Sequence, residues 1–267
     1  MCLILFAFKA HAAYPLVVAA NRDEAYARPS APAAFWRDHP RLYGGRDLEL
    51  GGTWMGLTLD GRFAAVTNFR DGVPKGTAPR SRGELTGGYL TGAQDAKSYL
   101  QTVAARKTQY AGFGVLAGDL NALWFLSNHG NGVQPIAPGV HGLSNHLLDT
   151  PWPKVTSGKH ELGLLLADNA PDLPEKLFAM LADRSVAADN ALPDTGVGIQ
   201  REKALGPKFI AADDRYGTRA STVIIVRRDG GVTYAERRFG PRGALAGEVT
   251  RQFQLAGEVT RQFQLTV

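Results

Sequence analysis

Short apolar runs bounded by polar turn residues dominate the hydrophobic pattern of the chain. The first run covers Cys2 to Phe8, and a second covers Tyr14 to Ala20. Runs of this length between turn residues are typical of buried strands, and the short gap between them predicts a hairpin. Lys9 ends the first run, which is far shorter than the roughly 18 residues that a membrane-spanning helix needs. We therefore expect both runs to belong to the fold and the protein to have no membrane span.

Three further pairs of apolar runs are divided by turns that contain aspartate and glycine. An Asp-Gly pair is a strong hairpin signal, because a type I′ turn needs a positive φ at both central residues. The predicted pairs are Thr53–Leu59 with Arg62–Phe69, Phe113–Ala117 with Ala122–Leu126, and Thr222–Arg227 with Val232–Phe239.

Apolar residues at three- and four-residue spacing predict helices over Asp95–Lys107, Ser157–Ala167 and Asp172–Leu181. Hairpins outnumber crossover connections, so the sheets should be largely antiparallel with the helices packed outside them. We predict one α+β domain over residues 1–244. Residues 245–267 form a predicted tail in which the segment LAGEVTRQFQ occurs twice without change, and the second copy need not find a packing partner.

Composition and charge narrow the functional classes. The chain is 44% hydrophobic and 21% charged, which excludes a disordered, collagenous or coiled-coil protein. Thirty basic and 25 acidic residues leave a net charge of +5, which suits anionic ligands. No run of basic residues marks a nucleic-acid partner.

The single cysteine excludes an internal disulfide, and the six histidines lack metal-ligand spacing, so no metal site is predicted. No basic segment precedes the first apolar run, and we predict a cytoplasmic protein.

The position of Cys2 gives its thiol a specific chemical possibility. Removal of Met1 would make Cys2 the first residue and place a free α-amine beside its sulfur. The reference pKa is about 7.7–8.0 for an α-amine and about 8.5 for a thiol, so the amine can accept the thiol proton near neutral pH. N-terminal nucleophiles use the base on their own residue in this way. The alternative is a small buried hydrophobe in the first strand.

Other polar residues stand at the ends of predicted strands. Asn21-Arg22-Asp23-Glu24 follows the second strand, and the hairpin could return it to the thiol; the alternative is a solvated turn with an internal ion pair. Asn68 and Asn145 could each hold a developing oxyanion or cap a turn. Arg219 could lower the pKa of the thiol, bind a substrate anion or carry a surface charge.

Ordered motifs identify a family resemblance along nearly the whole chain. The chain resembles the NRDE family, which includes the transport and Golgi organization 2 homologs, from Met1 to about Phe239. The matching segments are Met1–Ala7, Asn21–Glu24, Arg28-Pro29, Gly44–Asp47, Gly51–Trp54, Thr67–Arg70, Ser81–Leu85, Gly142–Asn145, Leu148–Val155 and Tyr216–Arg219.

This resemblance implies a four-layer αββα sandwich of the N-terminal-nucleophile hydrolase type. Related amidases cleave linear amides with an N-terminal cysteine. Carried over by order and context, Cys2 would be nucleophile and base, and Asp23 would orient its amine. Asn68 and Asn145 would hold the oxyanion or the amine, and Arg219 would steady the thiolate. We also expect Asn21, Arg22 and Arg70 to contact the substrate.

Two functions follow as expectations. The first is a cofactor-independent amidase that forms an acyl-enzyme through Cys2 with an unidentified small-molecule amide. The second is a protein that binds or carries haem or an acyl lipid on the same fold without turnover. A third interpretation is that Cys2 is a core residue of a scaffold protein. The sequence does not determine the oligomeric state.

Overall fold

Two antiparallel β-sheets lie face to face at the centre of the molecule. The computed structural model describes residues 2–72, 78–168 and 172–256. In chain order the strands are β1 (Cys2–Phe8), β2 (Leu16–Ala25), β3 (Ser30–Phe35), β4 (Leu42–Asp47), β5 (Met55–Thr58), β6 (Phe63–Asn68), β7 (Phe113–Gly118), β8 (Leu123–Ser127), β9 (Gln134–Ile136), β10 (Gly139–Leu143), β11 (Tyr216–Val226), β12 (Gly231–Phe239) and β13 (Leu245–Gln254). Sheet A has the order β10-β1-β2-β11-β12-β13, and sheet B runs from β3 to β9 in sequence order.

Helices cover the outer faces of both sheets. They are α1 (Gly83–Thr91), α2 (Ala96–Ala105), α3 (Pro153–Ala167) and α4 (Leu173–Leu181); a further short helix, α5 (Ile199–Leu205), precedes β11 in the chain. The pairs α1 with α2 and α3 with α4 pack on sheet B and sheet A respectively. The molecule is thus a four-layer αββα sandwich, which confirms the predicted fold class. No helix in the described ranges is long and apolar enough to cross a membrane.

The alternation of side chains along β1 explains why its sequence is apolar without interruption. Ile4 and Phe6 belong to the core between the sheets, whereas Leu3 and Leu5 pack in the core against α3 and α4. Successive side chains of a strand point to opposite faces, so a strand covered on both faces must be apolar at every position. The same parity places Cys2 on the face toward sheet B.

All four predicted hairpins are present, with β2 and β11 extending beyond their predicted runs. Helix α1 was not predicted, because Gly83, Gly87 and Gly88 lower helix propensity by about 1 kcal/mol each. Tertiary packing explains one of these glycines. A Cβ on Gly88 would lie 2.9 Å from the Tyr99 hydroxyl, and Gly83 is the residue against which Gly52 packs, although a Cβ on Gly83 itself would be 3.5 Å from the nearest atoms. Strands β3, β4 and β9 and helix α5 were also missed, whereas the strand predicted to end at Asn145 corresponds to β10, which ends at Leu143.

The first copy of the C-terminal repeat, expected to begin a tail, forms β13 at the edge of sheet A. Val249 and Phe253 pack against the core between the sheets, and Leu255 is buried there. Most of the second copy, from residue 257 onward, lies outside the described residues, as does Met1.

Candidate active site

A cleft of about 460 Å³ opens at the end of the sandwich, and Cys2 lies in its wall. One wall comes from sheet A, where Cys2 is paired opposite Arg22. The facing wall comes from sheet B and the start of α1, with Trp54, Asn68 and Arg82 in its lining. A Cβ on Gly52 would lie 2.6 Å from the Gly83 carbonyl oxygen, so only glycine allows α1 to begin this close to the Trp54 loop.

The Cys2 side chain is 7% exposed and faces the space between the sheets. The Ser144 hydroxyl donates a hydrogen bond of 3.0 Å to the Cys2 carbonyl oxygen, which ties the start of β1 to the end of β10. Burial raises the pKa of the Cys2 thiol, and the nearby Asp23 carboxylate raises it further, while Arg22 opposes both. The thiol therefore stays protonated near neutral pH until a base removes its proton.

Asp23 is fixed beside this thiol by the pairing of β2 with β11. Thr218 stands directly opposite it, and the Thr218 hydroxyl donates a hydrogen bond of 2.7 Å to Asp23 Oδ1. That hydroxyl in turn accepts one of 2.9 Å from the Ile210 backbone N–H. The Tyr216 hydroxyl donates to the Asp23 carbonyl oxygen at 3.1 Å. Burial raises the pKa of Asp23, whereas Lys154 and the Thr218 hydrogen bond lower it.

Lys154 is a buried cation beside the site, and the sequence alone did not predict a role for it. It lies in the first turn of α3, and its Nζ donates a hydrogen bond of 2.9 Å to the Leu205 carbonyl oxygen. Burial lowers the pKa of Lys154 to about 8, and the fields of Asp23 and Cys2 act in the opposite direction. The ammonium group thus compensates part of the negative charge that a thiolate and a carboxylate would place here.

The two predicted asparagines lie next to each other but have different surroundings. Asn68 ends β6 and lines the cleft, and among the described residues its side-chain amide makes no hydrogen bond. Asn145 is fully buried and is not part of the lining; its Nδ2 donates a hydrogen bond of 3.1 Å to the Asn68 carbonyl oxygen. Asn145 therefore holds the end of β6 in place, and Asn68 presents a donor to the cleft.

Arg219 lines the cleft as the extra residue of a β-bulge, because Thr218 pairs with Asp23 while Ala220 already pairs with Arg22. Its Nη1 donates hydrogen bonds of 2.8–3.0 Å to three backbone carbonyl oxygens, those of Ala25, Tyr26 and Arg28. Its expected contact with the thiolate stays a prediction.

Arg82 was quoted in a motif without a role, yet its charge is coupled to that of the thiol. Burial lowers the pKa of the Arg82 guanidinium, while Cys2 and Glu24 raise it. Arg22 also lines the cleft, and its Nη2 lies 3.5 Å from Glu24 Oε2.

Asn21 and Arg70, both expected to contact substrate, are not in the cleft lining. Asn21 is fully buried, and its Nδ2 donates to the carbonyl oxygens of Leu181 and Lys208 at 2.9 and 2.7 Å. The Ser221 hydroxyl donates to its Oδ1 at 2.6 Å. Since side-chain parity alternates along β2, Asn21 points toward the helix layer while Arg22 points toward the cleft.

Arg70 forms a buried ion pair behind the cleft. Its Nη2 lies 2.9 Å from Glu202 Oε2, and the two side chains are 7% and 2% exposed. The guanidinium carbon also lies 4.7 Å from the centre of the Trp152 ring. The pairing joins the loop after β6 to α5, an element that sequence reasoning missed. Among the described residues, no three His, Cys, Asp or Glu side chains group as metal ligands do.

Asp149 anchors the segment that leads into α3 and Lys154. Its carboxylate accepts hydrogen bonds of 2.7 Å from His141 Nδ1 and Lys159 Nζ and of 2.9 Å from the Gly142 backbone N–H. Burial opposes ionisation of this carboxyl, but these three donors outweigh it and lower the pKa of Asp149 to about 2.

We expect Asp149→Asn to lower the free energy of unfolding at pH 7 by about 1–2 kcal/mol. A depressed pKa stabilises the native state above the unfolded pKa and loses that contribution as the pH falls. The difference between wild type and variant should therefore shrink as the pH falls below about 4 and become small by about pH 2, the folded pKa. Urea unfolding at several pH values measures it, and a difference that persists at pH 2 would contradict the role of this carboxylate.

Comparison with known proteins gives a family match over most of the chain. The family described as Transport and Golgi organisation 2 matches residues 1–241. The Transport and Golgi organization protein 2 homolog of Bos taurus is 39% identical over 258 residues, covering 89% of this chain and 92% of that protein. The human homolog is 38% identical over 257 residues with the same coverage. The Drosophila melanogaster protein is 26% identical over 259 residues, covering 88% of this chain and 91% of its own.

Among solved structures, the C2A mutant of conjugated bile acid hydrolase from Clostridium perfringens aligns with a TM-score of 0.48 at 8% identity, over 97% of this chain and 94% of that one. Penicillin V acylase from Agrobacterium tumefaciens also gives a TM-score of 0.48 at 8% identity, over 98% of this chain and 89% of its own.

Proposed function

The chain belongs to the Transport and Golgi organisation 2 family, and we propose that this member is a cysteine amidohydrolase that cleaves a linear amide through Cys2. The observation that carries the proposal is the place of the one thiol of the chain. It lies in the wall of the cleft, between Asp23 behind it and Asn68 across from it. A lone thiol in a core would need neither a cleft nor these neighbours.

The reaction begins once Met1 has been removed. The neutral α-amine of Cys2 takes the thiol proton, and Sγ attacks the carbonyl carbon of the amide. Asn68 donates a hydrogen bond to the oxyanion that forms. The ammonium then protonates the leaving amine as the C–N bond breaks, leaving a thioester on Cys2. The amine next deprotonates a water molecule, which attacks the thioester; the C–S bond breaks, the acid is released, and the ammonium returns its proton to the Cys2 thiolate.

Burial and charge explain why the base must be local. Burial and Asp23 raise the pKa of the thiol, so few thiolates would form at neutral pH if no base stood beside the sulfur. The Asp23 carboxylate stabilises the α-ammonium that appears during the reaction, and the charge of Lys154 favours the ionised form of that carboxyl against the burial that raises its pKa. Each group thus offsets a charge that arises in a specific step.

Release of p-nitroaniline from a set of acyl p-nitroanilides tests this proposal. Processed protein should release the amine, and the acylated protein should gain the mass of the acyl group. Absence of both, with a correctly processed N-terminus and a normal melting temperature, would contradict the proposal.

Asn68→Ala isolates the oxyanion contact. We expect kcat to fall by about 10²–10³-fold, because one preformed donor is lost from the transition state. The melting temperature should stay the same, since the side chain makes no hydrogen bond to any described residue. A rise of KM with unchanged kcat would instead place Asn68 in ground-state binding.

The second candidate is a haem or acyl-lipid carrier without turnover. The described lining of the cleft includes Cys2 but neither histidine nor methionine, so the thiolate is the one side chain there that is typical of haem ligation. A saturable shift of haemin absorbance that disappears in Cys2→Ala, together with no amide turnover, would favour this candidate.

A further inference from the structure

A straight row of residues crosses sheet A along the wall of the cleft that this sheet forms. Cys2 pairs with Arg22, Arg22 with Ala220, and Ala220 with Arg238. Directly opposed residues of antiparallel strands point to the same face, so all four face sheet B. Adjacent strands lie about 4.8 Å apart, which places the Cα atoms of Cys2 and Arg238 about 14 Å from each other. The small side chain of Ala220 leaves open space along this wall between Arg22 and Arg238.

We propose that the cleft binds an anionic oxygen group at the far end of its substrate, a carboxylate or a phosphate, through Arg238 and Arg219, while Arg82 adds positive charge from the facing wall, nearer to Cys2. The position of the scissile bond at Cys2 rests on the proposed function, whereas binding of the anion does not require turnover. The substrate class is then an amide with an anion well separated from the scissile bond.

The ion pairs of the cleft single out these three arginines. Seven arginines line it, and four of them have a carboxylate partner within 4 Å. Those four are Arg22, Arg28, Arg46 and Arg80. In the part of the chain that the structure describes, Arg82, Arg219 and Arg238 have no such partner. The Glu236 carboxylate in the lining instead accepts a hydrogen bond of 3.0 Å from the Ala33 backbone N–H.

Arg238 is held with an unsatisfied donor. Its Nε is buried and makes no hydrogen bond to any described residue. A Cβ on Gly247, the residue paired with Arg238 on β13, would lie 2.6 Å from Arg238 Nη2. Glycine at that position therefore makes room for the guanidinium. A buried donor without a partner destabilises the free protein, and an anionic ligand that accepts a hydrogen bond from it would recover that loss.

Arg219 and Arg82 are held in place by carbonyl oxygens, and the charge of Glu24 acts on both without forming an ion pair with either in the described part of the chain. Three backbone carbonyl oxygens fix Arg219 Nη1, and the Gly112 carbonyl oxygen accepts a hydrogen bond of 3.1 Å from Arg82 Nη1. Carbonyl oxygens orient a guanidinium but leave its positive charge available. Such preorganised forks suit carboxylate and phosphate groups and lose little conformational freedom on binding.

Binding to the Cys2→Ala protein tests the inference without turnover. The probes are azelaoyl p-nitroanilide, which carries a terminal carboxylate, its neutral methyl ester, and 8-(phosphonooxy)octanoyl p-nitroanilide. Calorimetry should show that at least one anionic probe binds at least tenfold more tightly than the ester. The anionic probe with the lower dissociation constant identifies the preferred group. Arg238→Gln should reduce that ratio to nearly one.

The ester serves as an internal control for folding, because the ratio is taken within each variant. Arg41→Gln removes the same charge from an exposed ion pair with Asp60 outside the cleft and should leave the ratio unchanged. Neither anion binding more tightly than the ester, or an unchanged ratio in Arg238→Gln, would overturn the inference. Selective anion binding without p-nitroaniline release from the processed wild type would uphold it and contradict the hydrolase proposal.

Discussion

Cys2→Ala is expected to abolish amide hydrolysis, lowering kcat/KM by at least about 10⁴-fold, while the melting temperature changes by no more than a few degrees. Loss of a nucleophile removes the covalent pathway, which accounts for losses of this size in other enzymes. The side chain is small and lies at the start of β1, at the rim of the core. Its truncation therefore removes little packing. Steady-state kinetics and thermal unfolding of the same samples measure both effects.

Cys2→Ser is the matched variant. It keeps the shape of the side chain and a possible nucleophile but raises the pKa of the attacking group, so we expect a large loss of rate with unaltered stability. Normal turnover by the alanine variant would show that the thiol is not the nucleophile. A large fall of its melting temperature would instead support the reading of Cys2 as a structural core residue.

Arg70→Met is expected to cause the largest loss of stability among single substitutions near the cleft. It leaves Glu202 buried without its cationic partner, and breaking a buried ion pair in this way costs about 3–5 kcal/mol. For a chain of this size the melting temperature should fall by roughly 10 °C. Urea unfolding of Arg70→Met, Glu202→Gln and the double variant measures the coupling between the two residues.

The double variant should lose less than the sum of the single losses, because neither charge is then left alone. Arg242→Gln, which removes an exposed pair with Asp214, is the control and should be nearly neutral. If Arg70→Met raised KM while stability stayed unchanged, Arg70 would contact substrate as the sequence first suggested.

Local pattern was sufficient to predict the part of the site that one hairpin brings together. The runs that became β1 and β2 were recognisable from their apolar residues, and their pairing returns Asp23 to Cys2. The Asp-Gly turn before Arg62 likewise located β6 and therefore Asn68. In each case a short connection fixes which residues meet, so periodicity and turn chemistry carry the required information.

The remaining site residues depend on contacts that short patterns do not encode. Arg238 joins the cleft only through the register of three adjacent strand pairs, one of which contains the bulge at Arg219. The partner of Arg70 lies on α5, which is only seven residues long and was not predicted. Asn21 and Arg22 are neighbours in sequence, yet strand parity sends one to the helix layer and the other to the cleft.

The central claim is that Cys2 acts as a free N-terminal nucleophile. The most direct test is the intact mass of the protein, measured before and after brief exposure to a small alkylating reagent at pH 7. The matched pair is a protein with an N-terminal tag and the same protein after protease cleavage directly before Cys2. We predict loss of Met1, and rapid addition of one alkyl group to the protein that begins at Cys2. The uncleaved protein should react slowly, because burial raises the pKa of its thiol and the nitrogen of Cys2 is then a peptide nitrogen that cannot accept the proton. Retention of Met1 in the mature protein, or equal slow labelling before and after cleavage, would contradict the account.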